Sequence, residues 1–221
     1  MPVALIDLLA AHHLKEGLLL ALLKRDRTGE GSFVEVSLIQ VAIASLANQA
    51  TNWLVARKLP TRQGSAHPNI APYGESFLTK DGKRILLAVG NDRQFADLLK
   101  MLQLELLLKN DKFTTNTSRV MNREELSVYL SQAIIHFDSS ELMAKINVQK
   151  IPAGIIHNMK EVFEMNEAKE LLITKGELLG VKTFVSKLAG SWPPVTELLP
   201  PPHFGEHSQE ILSQLQSDYE N

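Results

Sequence analysis

The chain has 221 residues, 44% of them hydrophobic and 22% charged, with a formal net charge of −2. That length supports a real hydrophobic core, and the balance excludes both a disordered chain and the basic footprint of a nucleic-acid or anionic-membrane binder. The absence of cysteine removes disulfides, thiolate metal sites and cysteine nucleophiles, and it fits the reducing cytoplasm expected for this chain.

Met1 to Leu23 holds the first question. The uninterrupted apolar run Gly17 to Leu23 is far shorter than the ~20 residues of a membrane span, and no basic segment precedes it, so neither a transmembrane helix nor a signal peptide is expected. Asp7 to Arg25 reads as a helix with Lys24, Arg25 and Arg27 at its carboxyl end and a stop at Thr28-Gly29-Glu30-Gly31. Asp7 stands at its mouth between Leu5, Ile6, Leu8 and Leu9. An acid there is either a helix cap or a working group, and the pattern leaves both open. Ser32 to Val36 alternates as a short strand does, and Ser37 is placed to cap a second helix reaching about Ala56, buried on most faces through Leu46 and polar at Asn48, Gln49 and Asn52.

Arg57 to Tyr73 is a loop by composition, rich in proline and small polar residues, and is the best place for a domain crossing. Glu75–Lys80 and Lys83–Val89 flank Asp81-Gly82, a strong hairpin signal. Helices are predicted at Arg93–Leu102, Arg119–Phe137 and Ser140–Asn147, with Asn122 and Glu125 spaced as a cap. Ile151–Ile156 is extended, short helices follow at Met159–Glu164 and Ala168–Ile173, and Leu179–Lys187 has strand propensity. Proline-rich chain from Trp192 to Pro202 precedes a last amphipathic helix after Ser208.

The motif search is mostly negative. GxGxxG, GxxxxGK[ST], GxSxG and HExxH are all missing, so dinucleotide-binding, phosphate-loop, serine-hydrolase and zincin chemistries lack their usual support. His203 and His207 are four apart without accompanying carboxylates or thiolates, so no metal site is expected. His12 reads as a packing residue.

Several stretches, taken together and in order, resemble the carboxyl-terminal part of the family III CoA-transferases, the group that includes formyl-CoA transferase, carnitine CoA-transferase and α-methylacyl-CoA racemase. They are Asp7 before the helix ending KRDRTGEG at Lys24–Gly31, the loop HPNIAPY at His67–Tyr73, Asp81-Gly82 with GNDRQF at Gly90–Phe95, Asn116 with Arg119–Leu126, IPAG at Ile151–Gly154, and Pro201-Pro202 with Phe204–His207. The resemblance implies an α/β fold: a partial Rossmann-like large domain plus a small α+β domain, in the family's interlocked-dimer architecture. The implied division is 1–60 as a remnant of the large domain with a linker helix, 61–165 as the small domain, and 166–221 as a segment returning to the large one.

For function, the resemblance implies acyl-CoA:carboxylate CoA transfer with Asp7 as the nucleophile, passing through an acyl-aspartyl anhydride and an aspartyl-CoA thioester. His13, His67, Asn69 and Tyr73 are the implied substrate-contacting residues. No permanently bound cofactor or metal is expected; coenzyme A enters as a thioester substrate, with a carboxylic acid as its partner. Family members carry a CoA-binding half ahead of this aspartate, whereas Met1 lies only six residues before Asp7. The expectation is therefore a chain that needs a homodimeric or complementing amino-terminal partner and is inactive alone. Epimerisation next to an acyl-CoA carbonyl, and a non-catalytic interaction role, are the alternatives.

Overall fold

A computed structural model describes residues 3–175, 178–181 and 202–219. The chain divides into two compact units, Met1–Gly154 and Ile155–Asn221. Among the described residues no helix is long and apolar enough to cross a membrane.

The first unit opens with helix α1 (Leu5–Thr28), which ends where Gly29 turns left-handed at φ 76° and its N–H bonds the Arg25 carbonyl at 2.8 Å. Leucines are distributed all around α1 rather than on one stripe, and none of its residues is buried. The expected Ser32–Val36 strand does not form. That segment is extended but has no ladder partner; Val34 instead packs on Gly17, where a Cβ on the glycine would lie 2.6 Å from Val34 Cγ1. Nor is the second helix continuous. It is α2 (Leu38–Ala44) and α3 (Ala47–Ala56), interrupted where the Ser45 hydroxyl donates back to the Val41 carbonyl at 2.7 Å and Ala47 takes φ 47°. Ser37 is the N-cap residue of α2 but makes no side-chain cap bond, and of α2 and α3 only Val41 is buried, so the expected burial on most faces through Leu46 is also corrected.

The core lies further on. Strands β1 (Tyr73–Leu78) and β2 (Arg84–Ala88) pair antiparallel around the predicted Asp81-Gly82 turn, with Phe77 opposite Ile85, and β3 (Ala153–Ile155) completes the order β1-β2-β3. Alternate residues Phe77, Ile85, Leu87 and Val89 point to one buried face. Helices supply the opposing layer at helical spacing: Phe95, Leu98 and Leu99 of α4 (Asp92–Met101), Leu126, Leu130 and Ile134 of α6 (Arg123–Ile134), and Leu142 and Ile146 of α7 (Ser139–Val148). Each such side chain contributes about 1.5–3 kcal/mol on burial. A 3-10 turn (Glu105–Lys109) and helix α5 (Asn116–Met121) connect α4 to α6, dividing the predicted Arg119–Phe137 helix at Asn122. Asn122 does not cap α6 with its side chain, which donates to the Ser118 carbonyl at 2.9 Å.

In the second unit, α8 (Met159–Glu164) begins with a complete capping box between Asn158 and Glu161. The expected Ala168–Ile173 helix is replaced by a shorter α9 (Asn166–Lys169) and by strand β4 (Leu172–Lys175), which pairs antiparallel with β5 (Leu178–Val181). Ile173 and Thr174 are β-branched and find cross-strand partners in Gly180 and Leu179, which outweighs a helical pattern of fewer than two turns. Helix α10 (Ser208–Tyr219) is where the sequence places it. The predicted strand beyond Val181 and most of the proline-rich stretch, 192–201, lie outside the described residues.

Candidate functional site

Asp7 is the third residue of α1, in a first turn whose N-cap, Ala4, has no side chain able to accept from the free N–H groups. Asp7 is exposed and makes no hydrogen bond or ion pair among the described residues, so it is not acting as a side-chain cap. Its carboxylate projects from a helix mouth beside Leu5 and Leu8, which are themselves exposed. Six residues on, His13 lies about 120° around the helix from Asp7 at 3.6 residues per turn. Its Nδ1 faces the Glu16 carboxylate at 3.9 Å. Asp7 and His13 therefore occupy different faces of α1.

The other sequence-predicted residues converge. The His67 and Tyr73 rings meet edge to face with centroids 5.3 Å apart, and the Asn69 N–H donates to His67 Nδ1 at 3.1 Å. That bond makes Nδ1 the acceptor and places the imidazole proton on Nε2. Nε2 lies 3.4 Å from the Asn48 side-chain nitrogen, Nδ2, and a 180° turn of that amide would bring its oxygen round to accept from Nε2–H. Asn69 and Asn52 exchange reciprocal amide hydrogen bonds at 2.9 and 3.2 Å, tying the loop to α3. Among the described residues, no hydrogen bond or ion pair joins His67, Asn69 or Tyr73 to Asp7.

What holds the loop is a row of three side chains on α5 and α6 that sequence reasoning did not single out for this role. Asn116, Arg119 and Arg123 follow an i, i+3, i+7 spacing, the signature of one helical face. Asn116 donates to the Asn69 carbonyl at 2.8 Å and accepts from the Ala71 N–H at 3.2 Å. Arg119 donates to the Ala71 carbonyl at 2.9 Å, and Arg123 to the carbonyls of His67 and Ile70 at 2.6 and 2.9 Å. All of these bonds go to loop backbone, leaving the His67 and Asn69 side chains to face α3. The loop leaves through Gly74, where φ is 78° and a Cβ would lie 2.1 Å from the Ser65 carbonyl oxygen.

Each arginine has its own counter-charge. Arg119 is buried, lies 4.3 Å above the Phe95 ring and pairs with Asp92 at 2.6 Å. Arg123 pairs with Glu75. Burial pushes the Glu75 carboxyl above its ordinary range, opposed by the Arg123 charge, and its second oxygen, Oε2, is buried without a hydrogen-bond partner. Across the hairpin, Asp81 accepts from the hydroxyls of Thr79 and Ser139, both at 2.6 Å, and from the Ser139 N–H at 3.1 Å. The Ser139 hydroxyl, then that of Thr79, hold its carboxyl down at about 2. Asp81 thus caps α7 from across the hairpin, a task Asp138 at the N-cap position leaves undone.

No group of three or more histidine, cysteine or acidic side chains suited to a metal ion occurs among the described residues. The His203 N–H donates to Glu206 at 2.6 Å, which gives that turn a local structural role.

The family model for CoA-transferase family III matches residues 1–208. Human succinyl-CoA:glutarate CoA-transferase is 33% identical over 96% of this chain and 49% of its own length. Succinate–glutarate CoA-transferase of Agrobacterium fabrum is 31% identical over 97% of this chain and 54% of its own. A crystal structure of a CAIB/BAIF family protein from Brucella suis superposes with a TM-score of 0.71 at 31% identity, covering 97% of this chain and 56% of that one. The chain thus spans about half the length of these relatives, and the mixed helix-and-sheet fold expected from the sequence is theirs over that half. On the extent and identity of these matches, this chain belongs to CoA-transferase family III.

Proposed function

We propose that the chain contributes the nucleophile of an acyl-CoA:carboxylate CoA-transferase, with Asp7 as the attacking carboxylate. The observation that carries this reading is Asp7 itself, exposed and unpartnered among the described residues in the first turn of α1, where a side-chain cap would have been spent on the helix. Free N–H groups at a helix amino terminus stabilise an anionic nucleophile without blocking it.

The steps balance without a redox partner. An Asp7 oxygen attacks the thioester carbonyl, the carbon–sulfur bond breaks, and CoA leaves as a thiolate from an acyl-aspartyl anhydride. The thiolate attacks the aspartyl carbonyl, releasing the donor's carboxylate and forming an aspartyl-CoA thioester. The acceptor carboxylate attacks that thioester, and the thiolate then captures the acceptor's acyl carbon, freeing Asp7. His67, Asn69 and Tyr73 are the proposed contacts to the acyl group from the clamped loop, and His13 a contact from the neighbouring face of α1. Two of the relatives are named for succinate and glutarate, which makes dicarboxylic acids the favoured substrates.

The leucines of α1 with Ile39, Trp53 and Val55 leave apolar surface exposed on the first unit. This supports a working assembly in which a second copy or an amino-terminal CoA-binding half covers it. The test is to incubate the chain with succinyl-CoA, alone and with the amino-terminal half of a relative, and to look for a hydroxylamine-sensitive adduct by mass spectrometry. An adduct on Asp7 that disappears in D7N is expected in the complemented sample. Solvent deuterium entering the acyl α-carbon, with no adduct and no CoA exchange, would replace transfer by epimerisation.

A further inference from the structure

The polar atoms of the clamped loop are not equally available. His67 Nδ1 accepts from the Asn69 N–H at 3.1 Å, and Nε2 faces the Asn48 amide at 3.4 Å. The Asn69 carboxamide is engaged by Asn52 at both its oxygen and its nitrogen. Tyr73 differs. Its ring packs edge-on against His67 and is 36% exposed, and its hydroxyl has no hydrogen-bond partner among the described residues. Of the three side chains, only that of Tyr73 has its polar group wholly uncommitted.

A second uncommitted donor lies beside it. Tyr73 pairs with Ala88 across β1 and β2, and the Val89 N–H bonds the Pro72 carbonyl at 3.1 Å, which brings Gly90 next to the Tyr73 ring. A Cβ on Gly90 would lie 4.0 Å from Tyr73 Cε2, the carbon next to the one that carries the hydroxyl, and 3.7 Å from Gln94 Oε1. Neither contact is a clash and the φ of Gly90 is not positive, so the backbone does not demand glycine there. Its effect is to leave a notch open between Tyr73 and Gln94. Gln94, half-buried in the first turn of α4, accepts from the Gly90 N–H at 2.9 Å through its side-chain oxygen. A backbone N–H can meet only the oxygen of a carboxamide, so the orientation of this amide is fixed. Its NH2, which the capping does not use, has no partner among the described residues. The acid of that turn, Asp92, is paired with Arg119 at 2.6 Å and so leaves the notch without an unpaired anion in that turn.

We propose that Tyr73 Oη and Gln94 Nε2 form a two-donor site for a carboxylate of a dicarboxylic acid, which makes Gln94 a specificity-determining residue. The choice of a dicarboxylate rests on the CoA-transfer reading above; the binding itself requires neither CoA nor Asp7. A carboxylate accepts from both donors at once, and hydrogen bonds to an ionised acceptor are about twice as strong as neutral ones. Tyr73 stands two residues beyond Ala71, whose carbonyl and N–H are held by Arg119 and Asn116, so the clamp sets where the phenol is presented.

The experiment is a titration of the full chain with glutarate, followed by the Gly90 backbone amide signal in ¹H–¹⁵N spectra. A saturable shift is expected, and a signal that does not move would overturn the proposal. Q94E separates recognition from capping. It keeps the oxygen that serves the Gly90 N–H and places an anion in the first turn of α4, where it is favoured, but it removes the donor. Q94E should therefore keep or raise the Tm and weaken glutarate binding by more than tenfold, whereas a purely capping Gln94 predicts an unaltered titration. Y73F, which loses one charge-assisted hydrogen bond and keeps the ring, should weaken binding by about tenfold. Q132E, the same charge change on an exposed part of α6, should leave it unaltered. An unaltered titration in Q94E or Y73F would overturn the proposal, as would inorganic phosphate giving the same shift at the same concentrations. Glutarate binding that Q94E abolishes, in a chain that forms no Asp7 adduct with its complementing half, would sink the transfer reading and leave this site standing. Adduct formation with an unaltered glutarate titration in Q94E would do the reverse.

Discussion

Replacing Arg119 by lysine keeps the charge and removes the fork, and the structure indicates what that change costs. The guanidinium, 1% exposed, reaches in three directions: to the Ala71 carbonyl at 2.9 Å, the Phe113 carbonyl at 3.2 Å and Asp92 at 2.6 Å. A lysine ammonium on its flexible stem cannot span all three, so at least one buried carbonyl loses its donor, at about 1–3 kcal/mol each. Stacking on Phe95 contributes roughly another 1 kcal/mol. The Asp92 side chain is 70% exposed, so its pairing is screened and adds less than about 1 kcal/mol. The sum is about 3 kcal/mol. With a urea slope of about 2 kcal/mol/M, R119K should lower the unfolding midpoint by roughly 1.5 M. Hydrogen exchange adds a local readout: the Ala71 and Val89 amides, bonded to Asn116 Oδ1 and the Pro72 carbonyl, should lose protection earlier than the core of α6. A midpoint within about 0.3 M of the parent would refute the claim that Arg119 anchors the loop.

Gly74→Ala combines a left-handed φ of 78° with a Cβ 2.1 Å from a backbone oxygen, which no rotamer change relieves, so a loss of about 3 kcal/mol is expected. Thermal unfolding checks it, and an unchanged Tm would mean the loop exit is not fixed. For Asp81, a folded value lowered to about 2 from an ordinary 3.8 means the ionised carboxylate is favoured by folding. Its contribution is full above the ordinary value and is lost as pH falls from there through about 2. D81N should therefore be less stable than the parent at neutral pH and show a shallower decline in Tm across that acidic window; parallel pH profiles would contradict the assignment.

The site is partly legible in the sequence, and the physical reason differs by residue. Asp7 is legible as an acid at a helix mouth, because helix starts and stops are written within one or two turns. That pattern leaves cap and working group open, and the proposed role of Asp7 as nucleophile comes from the family resemblance. His67, Asn69 and Tyr73 are visible as members of one loop, since seven consecutive residues cannot separate far. Arg119 and Arg123 are not, because the backbone they hold is 48 to 56 residues away and a buried arginine looks like a surface one in a string of letters. The regular spacing of Asn116, Arg119 and Arg123 signals a face without saying what that face meets. The failed strand at 32–36 is the opposite case: alternation is present, but a strand exists only if a neighbour offers its hydrogen bonds.

By itself the sequence determined the hairpin at Asp81-Gly82, the apolar spacing of α4, α6 and α7 that makes the core, the long first helix, and the motif order that places the chain in its family. These depend on short-range sterics and on periodicity, both carried by neighbouring residues. Tertiary structure alone decided that Asp7 leaves its carboxylate unpartnered among the described residues and that α7 is capped by an aspartate from the hairpin. It also decided that a polar row on two helices grips the backbone of a distant loop. Those outcomes depend on which surfaces meet when the sheet and helices close over one core, and burial is the energy that selects among them.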